Sequence, residues 1–226
     1  MSWRAEQVYT VANTELINHL AQIESLRPGL FKVDKLEKGI RSEWTREIFF
    51  ENEQHERRGS VHSLPEGGLL VINPSMYRVS YDDKDNPFYE DYQAYKENKW
   101  SFLKSIEIEP IIISLNLTPE QCKLLAFLKQ LNEEFKQPFV YYKCEMWGGD
   151  IDEEIVVVFD GEMRVYYFDD MNGEYKQMIG TEIKELEETT ALQQGLKEIG
   201  LHLPTRFFAL HETSFDWQPF LIKNFY

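Results

Sequence analysis

The chain has 226 residues, with 24 basic and 39 acidic side chains and a formal charge of −15. Fifteen Phe, 12 Tyr and 5 Trp supply far more buryable surface than a solvated polyelectrolyte carries, which excludes a disordered acidic tail. No apolar run is long enough to span a bilayer or act as a signal, so the expected location is cytoplasmic, with no membrane partner.

The charge is uneven. Residues 1–60 carry nine basic and ten acidic groups, whereas 145–174 carry ten acidic groups against Arg164 alone, a local charge of −9. Such a segment repels phosphate backbones, so direct nucleic-acid binding is not expected, and it attracts a cationic protein or a metal ion. Cys122 and Cys144 belong to no Cys-x-x-Cys unit and read as reduced packing residues.

In chain order, residues 10–25 place Leu16, Ile17, Leu20 and Ile23 at helical spacing, and 46–50 is a candidate strand. Residues 51–68 read as an exposed loop, with His55 and His62 solvated beside Arg57, Arg58 and Ser60. Strand-like runs follow at 69–72 and 76–81. Asn86-Pro87 can start a short helix with Phe88, Tyr92 and Tyr95 on one face. Residues 106–117 are rich in β-branched side chains, and Pro110 confines them to an edge or a break.

Thr118-Pro119-Glu120-Gln121 has the cap, the first-turn proline and the third-position Gln of a capping box; Leu124, Leu125, Leu128, Leu131 and Phe135 follow on one face. Thr181 is expected to open another helix, with Ile183, Leu186, Leu196 and Ile199 inward and Gly200 ending it. Between these helices, Gly148-Gly149, Asp160-Gly161 and Asn172-Gly173 each suit a two-residue hairpin turn, because Gly and Asn or Asp tolerate positive φ. The fold class is therefore α+β: an antiparallel β-meander over about 139–179 packed against helices, with an N-terminal α/β portion. Residues 1–226 read as a single domain, divisible into an N-terminal portion, 1–100, and a meander-plus-helix portion, 101–226.

Two-residue loops set a register, and the register decides which side chains share a face. One face then collects Val140, Tyr142, Cys144, Ile155, Val157 and Phe159. The other holds Tyr141, Val156 and Val158 at one end and an acidic cluster at the other. In this register Glu145, Asp152 and Asp169 lie directly across from one another, with Lys176 next in the row. Like charges so opposed destabilise a sheet unless they are solvated, neutralised or bound to a metal.

Glu145, Trp147, Asp150, Asp152, Glu154, Tyr167 and Asp169 are accordingly the candidate partner-binding residues. The functional expectation is a non-enzymatic acidic binding protein engaging a basic protein partner, of the inhibitor or immunity-protein type, with no cofactor. The alternative is a hydrolase in which Glu145, Asp152 and Asp169 hold Mg²⁺ or Mn²⁺. It lacks a base, since no histidine falls in the meander.

Glycine-rich phosphate loops and the Gly-x-Ser-x-Gly elbow are missing, and His211-Glu212-Thr213-Ser214-Phe215 has Phe where a zinc helix needs its second His. Cys144 could pair with His202 or His211 only if the fold brought them together. The aromatic C-terminus, with Phe207, Phe208, Phe215, Trp217, Phe220 and Phe225, is expected to dock on the body; a homodimer contact is the alternative.

Overall fold

The structure, a computed structural model, describes residues 2–34, 64–72, 115, 117, 119–148, 150–187, 189–203, 209–211 and 216–223. The expectations for 46–50, 76–81, His55, His62 and the helix after Asn86-Pro87 lie outside the described residues, as do Phe207, Phe208, Phe215 and Phe225.

The frame is one eight-stranded antiparallel sheet. Its strands are β1 (Ser2–Val11), β2 (Leu30–Val33), β3 (Leu69–Ile72), β4 (Phe139–Trp147), β5 (Asp150–Asp160), β6 (Glu162–Asp169), β7 (Glu174–Ile179) and β8 (Glu182–Glu185). They lie in the order β2-β3-β1-β4-β5-β6-β7-β8. The consecutive run β4 to β8 is a meander, one strand longer than the sequence pattern suggests. β1 inserts between β3 and β4, so strands from both ends of the chain share one sheet.

Among the described residues, three α-helices flank it. The first, α1 (Thr14–Ala21), begins where Asn13 leaves the extended conformation; the Asn13 side chain accepts from the backbone N–H of Glu15 at 2.8 Å and Leu16 at 3.3 Å. The second, α2 (Pro119–Phe135), is the helix that the Pro119 to Gln121 signal foretells. The third, α3 (Ala191–Lys197), starts ten residues later than Thr181. Thr190 and Gln193 form its capping box, and the segment just after Thr181 is strand β8. The inward placement of Leu196 and Ile199 is correct, but Ile183 is 57% exposed on β8.

Both faces of the central strands are buried. Tyr141, Ile155, Val157, Phe159 and Val165 face one way, packed with Leu16 and Leu20 of α1 and Leu124, Leu125 and Leu128 of α2. Val140, Tyr142, Cys144, Val156 and Val158 face the other way, packed with Leu192 and Leu196 of α3. α3 approaches so closely that a Cβ on Gly195 would stand 2.3 Å from Val156 Cγ1. No described helix is long and apolar enough to cross a membrane.

The expected register is corrected in three places. At the first turn Trp147 pairs with Asp150 and Met146 with Ile151, but Glu145 then pairs with Glu153, leaving Asp152 as the extra residue of a bulge. At the second turn Asp160 pairs with Glu162 around Gly161, one residue tighter than a two-residue loop. At the third, Asp169 pairs with Glu174 across a four-residue loop, 170–173. The bulge turns over the side chains of β5 from Glu153 onward. Ile155, Val157 and Phe159 therefore share a face with Tyr141, not with Tyr142.

Candidate functional site

The expected row of Glu145, Asp152 and Asp169 does not form. Glu145 stands opposite Glu153, with Arg4 from β1 3.1 Å away at its carboxylate. Lys143, almost buried, reaches Glu153 at 2.5 Å. Asp169 pairs with Lys176, which, together with a hydrogen bond from Asn172, holds the Asp169 carboxyl below its usual range. Each of these three carboxylates thus has its own cation, and the like-charge repulsion is relieved from within the sheet. Among the described residues no three His, Cys, Asp or Glu side chains gather to hold a metal ion.

Next to these pairs, burial raises the Glu6 carboxyl above its ordinary range, opposed by hydrogen bonds from Tyr141 at 2.9 Å and Gln121 at 3.2 Å. Glu154 sits on the opposite face of the sheet, 3% exposed, where it anchors α3. Tyr167 is half-buried against the core on the α1 and α2 side. The seven candidate residues are therefore divided between two faces.

Trp147, Asp150 and Asp152 remain together at the tip of the β4–β5 hairpin, all exposed. Antiparallel order sets the β6–β7 loop at the same end of the sheet, two inter-strand steps or roughly 10 Å away. That loop presents Asp170 and Met171 to solvent. Asp169 holds its shape: the carboxylate accepts from Met171 N at 3.2 Å and Asn172 Nδ2 at 2.9 Å, and the carbonyl accepts from Gly173 N at 2.8 Å. Trp147 is 65% and Met171 87% exposed; with Ile183 they are the large apolar side chains left open among the described residues. Asp170 and Met171 lie in a four-residue loop, where the Asn172-Gly173 signal suits a two-residue turn that would place both on strands. An exposed methionine between Asp170 and Asn172-Gly173 was the available signal.

On the α3 side lies a second polar group. His211 stacks on Tyr142 with ring centroids 4.6 Å apart, and its Nε2 is 2.5 Å from the Tyr9 hydroxyl, which donates to Gln7 Oε1. Burial lowers the His211 pKa to about 3 and raises the Cys144 thiol to about 12. A thiol whose pKa is raised this far by burial stays protonated near neutral pH and is not an activated nucleophile. Cys122 and Cys144 are both buried thiols, not joined to each other in a disulfide. Trp217 packs on Phe31 at 4.7 Å, and Leu221 bridges to Phe31, so the described part of the C-terminus docks on β2.

Compared with known proteins, the chain matches no family model, no curated protein and no solved structure.

Proposed function

We propose that the protein is a non-enzymatic binding protein that engages a basic protein partner, in the manner of an inhibitor or immunity protein, through the sheet end carrying Trp147 and Met171. The observation that carries this reading is the pairing of two exposed apolar side chains with the exposed carboxylates of Asp150, Asp152 and Asp170. Apolar anchors ringed by charge of one sign suit a partner surface of the opposite sign: the anchors supply affinity, and the charge steers encounter and rejects anionic competitors. Glu145 and Asp169 support the site from inside the sheet through their pairs with Arg4 and Lys176. Glu154 and Tyr167 support the strands without meeting the partner.

The test is capture from native lysate at low and high salt, comparing the wild type with Trp147→Ala/Met171→Ala and with Asp150→Asn/Asp152→Asn/Asp170→Asn. The expected result is a basic protein retained at low salt by the wild type and lost with both variants. Identical recoveries from all three would overturn the reading.

A further inference from the structure

The two outer strands of the sheet are treated differently. β2 is covered along its free edge: Phe31 bridges to Leu221 and Ile222 N donates to Leu30 O at 3.0 Å. β8 has all four residues exposed, and Ile183 at its centre is 57% exposed. α3 packs chiefly on β4 to β7 and α2 on β4 and β5. β8 is short and three of its four residues are charged, which guards an edge against indiscriminate pairing; Ile183 is the apolar exception.

The backbone parity of that edge follows from one hydrogen bond. Leu186 N donates to Tyr175 O at 2.8 Å, in the same register that pairs Glu185 with Lys176. Bonded pairs alternate along an antiparallel ladder, so Lys184 and Glu182 direct their backbone groups toward β7, while Ile183 and Glu185 direct theirs away from the sheet. A strand added to this edge pairs with Ile183 at its centre.

We propose that this edge binds a second copy of itself, β8 to β8 about a two-fold axis at Ile183, joining two sheets into one. The sequence around the axis is self-complementary. Antiparallel pairing centred on Ile183 sets Ile183 against Ile183 of the other copy, Glu182 against its Lys184, and Lys184 against its Glu182. Both charge pairs fall at non-hydrogen-bonded positions, where facing side chains approach most closely. The registers centred on Lys184 or Glu185 keep less: the first opposes Lys184 to itself, and the second opposes Glu185 to itself. Within one copy Lys184 and Glu182 are 4.0 Å apart and exposed, so both are available to re-pair. An edge this short forms a small, reversible interface. The proposal is independent of the docking site at Trp147 and Met171.

Sedimentation velocity of the full chain over a wide concentration range at 150 mM salt tests it, with three exposed substitutions. Glu182→Lys alone and Lys184→Glu alone each oppose like charges twice and are expected to weaken self-association about thirtyfold. Mixing the two single variants creates two opposite-charge pairs and is expected to restore a dimer containing one of each. Ile183→Lys is expected to abolish association in every combination. In the wild type the amides of Ile183 and Glu185 are expected to exchange more slowly as concentration rises. A chain monomeric at every concentration overturns the proposal. So does a dimer indifferent to these substitutions, or single variants that fail to recombine.

Discussion

Glu154 on β5 accepts the backbone N–H of Leu192 at 3.1 Å, which fastens the first turn of α3 to the middle of the sheet. Its other oxygen accepts the Tyr175 hydroxyl at 2.6 Å. The carboxylate is buried and accepts from both donors at once. Glu154→Ala would leave both without this acceptor and is expected to cost about 2–4 kcal/mol of stability. Urea denaturation measures this. Trp147→Ala, at an exposed site, is expected to leave the midpoint nearly unchanged, and equal losses in the two variants would contradict the assignment of Glu154 to the fold.

Gly195 serves the same contact from the helix side. Its φ is not positive, so Ala is sterically acceptable to the backbone, and in a free helix Ala gains about 1 kcal/mol over Gly. Here the added methyl would meet Val156 Cγ1 at 2.3 Å and Val140 Cγ1 at 3.2 Å. Overpacking is expected to win, with a net destabilisation of about 1–3 kcal/mol by urea denaturation. Gly195→Ala combined with Val156→Ala is expected to recover part of that loss relative to Val156→Ala alone.

The elements with a local signature were readable from the chain. Gly148, Gly161 and Gly173 mark the three turns and each takes a positive φ, and the Pro119 to Gln121 signal marks α2. β1 was missed because Arg4, Glu6 and Gln7 break up its apolar pattern. Glu145, Tyr141 and Gln121 meet Arg4 and Glu6 from elsewhere in the fold, and Tyr9 meets Gln7 along the strand itself. The register of β5 was misjudged for a different reason. Residues 155–159 are apolar on both sides, since helices cover both faces, so turning the strand over at the Asp152 bulge leaves no trace in the hydrophobic pattern. The acidic row was an error inherited from that register. The tip residues Trp147, Asp150 and Asp152 survived it because they precede or form the bulge. The helix expected at Thr181 failed because the true capping box, Thr190 to Gln193, lies further along.

Lys143 is the cation on which the sheet's charged end depends. It is 8% exposed and 2.5 Å from Glu153, which itself stands opposite Glu145. Lys143→Met keeps the side-chain length but leaves Glu153 facing Glu145 without its partner. The expected cost is about 2–4 kcal/mol by urea denaturation, within the range for breaking a largely buried pair. Glu153→Gln in the same chain is expected to recover much of it, giving a coupling well above that of an exposed pair. Arg4 and Glu145 provide the comparison: Arg4 is largely exposed, and Arg4→Ala is expected to cost under about 1 kcal/mol.

His211 makes the fold sensitive to acid. Burial against Tyr142 and Tyr9 lowers its pKa to about 3, from 6.5 in the unfolded chain. Between those values the unfolded state binds a proton that the native state refuses, so stability falls as the pH drops through that window. By pH 4 the contribution is on the order of 3 kcal/mol. Glu6 acts in the opposite sense, because its raised carboxyl takes up a proton in the native state first. Asp169 loses its contribution only at still lower pH, since its carboxyl is held below the ordinary range. His211→Gln removes the imidazole titration and leaves those two groups in place. The difference in unfolding free energy between wild type and variant is therefore expected to narrow steadily from pH 7 to pH 4. A difference independent of pH over that range would mean that His211 already titrates freely in the native state.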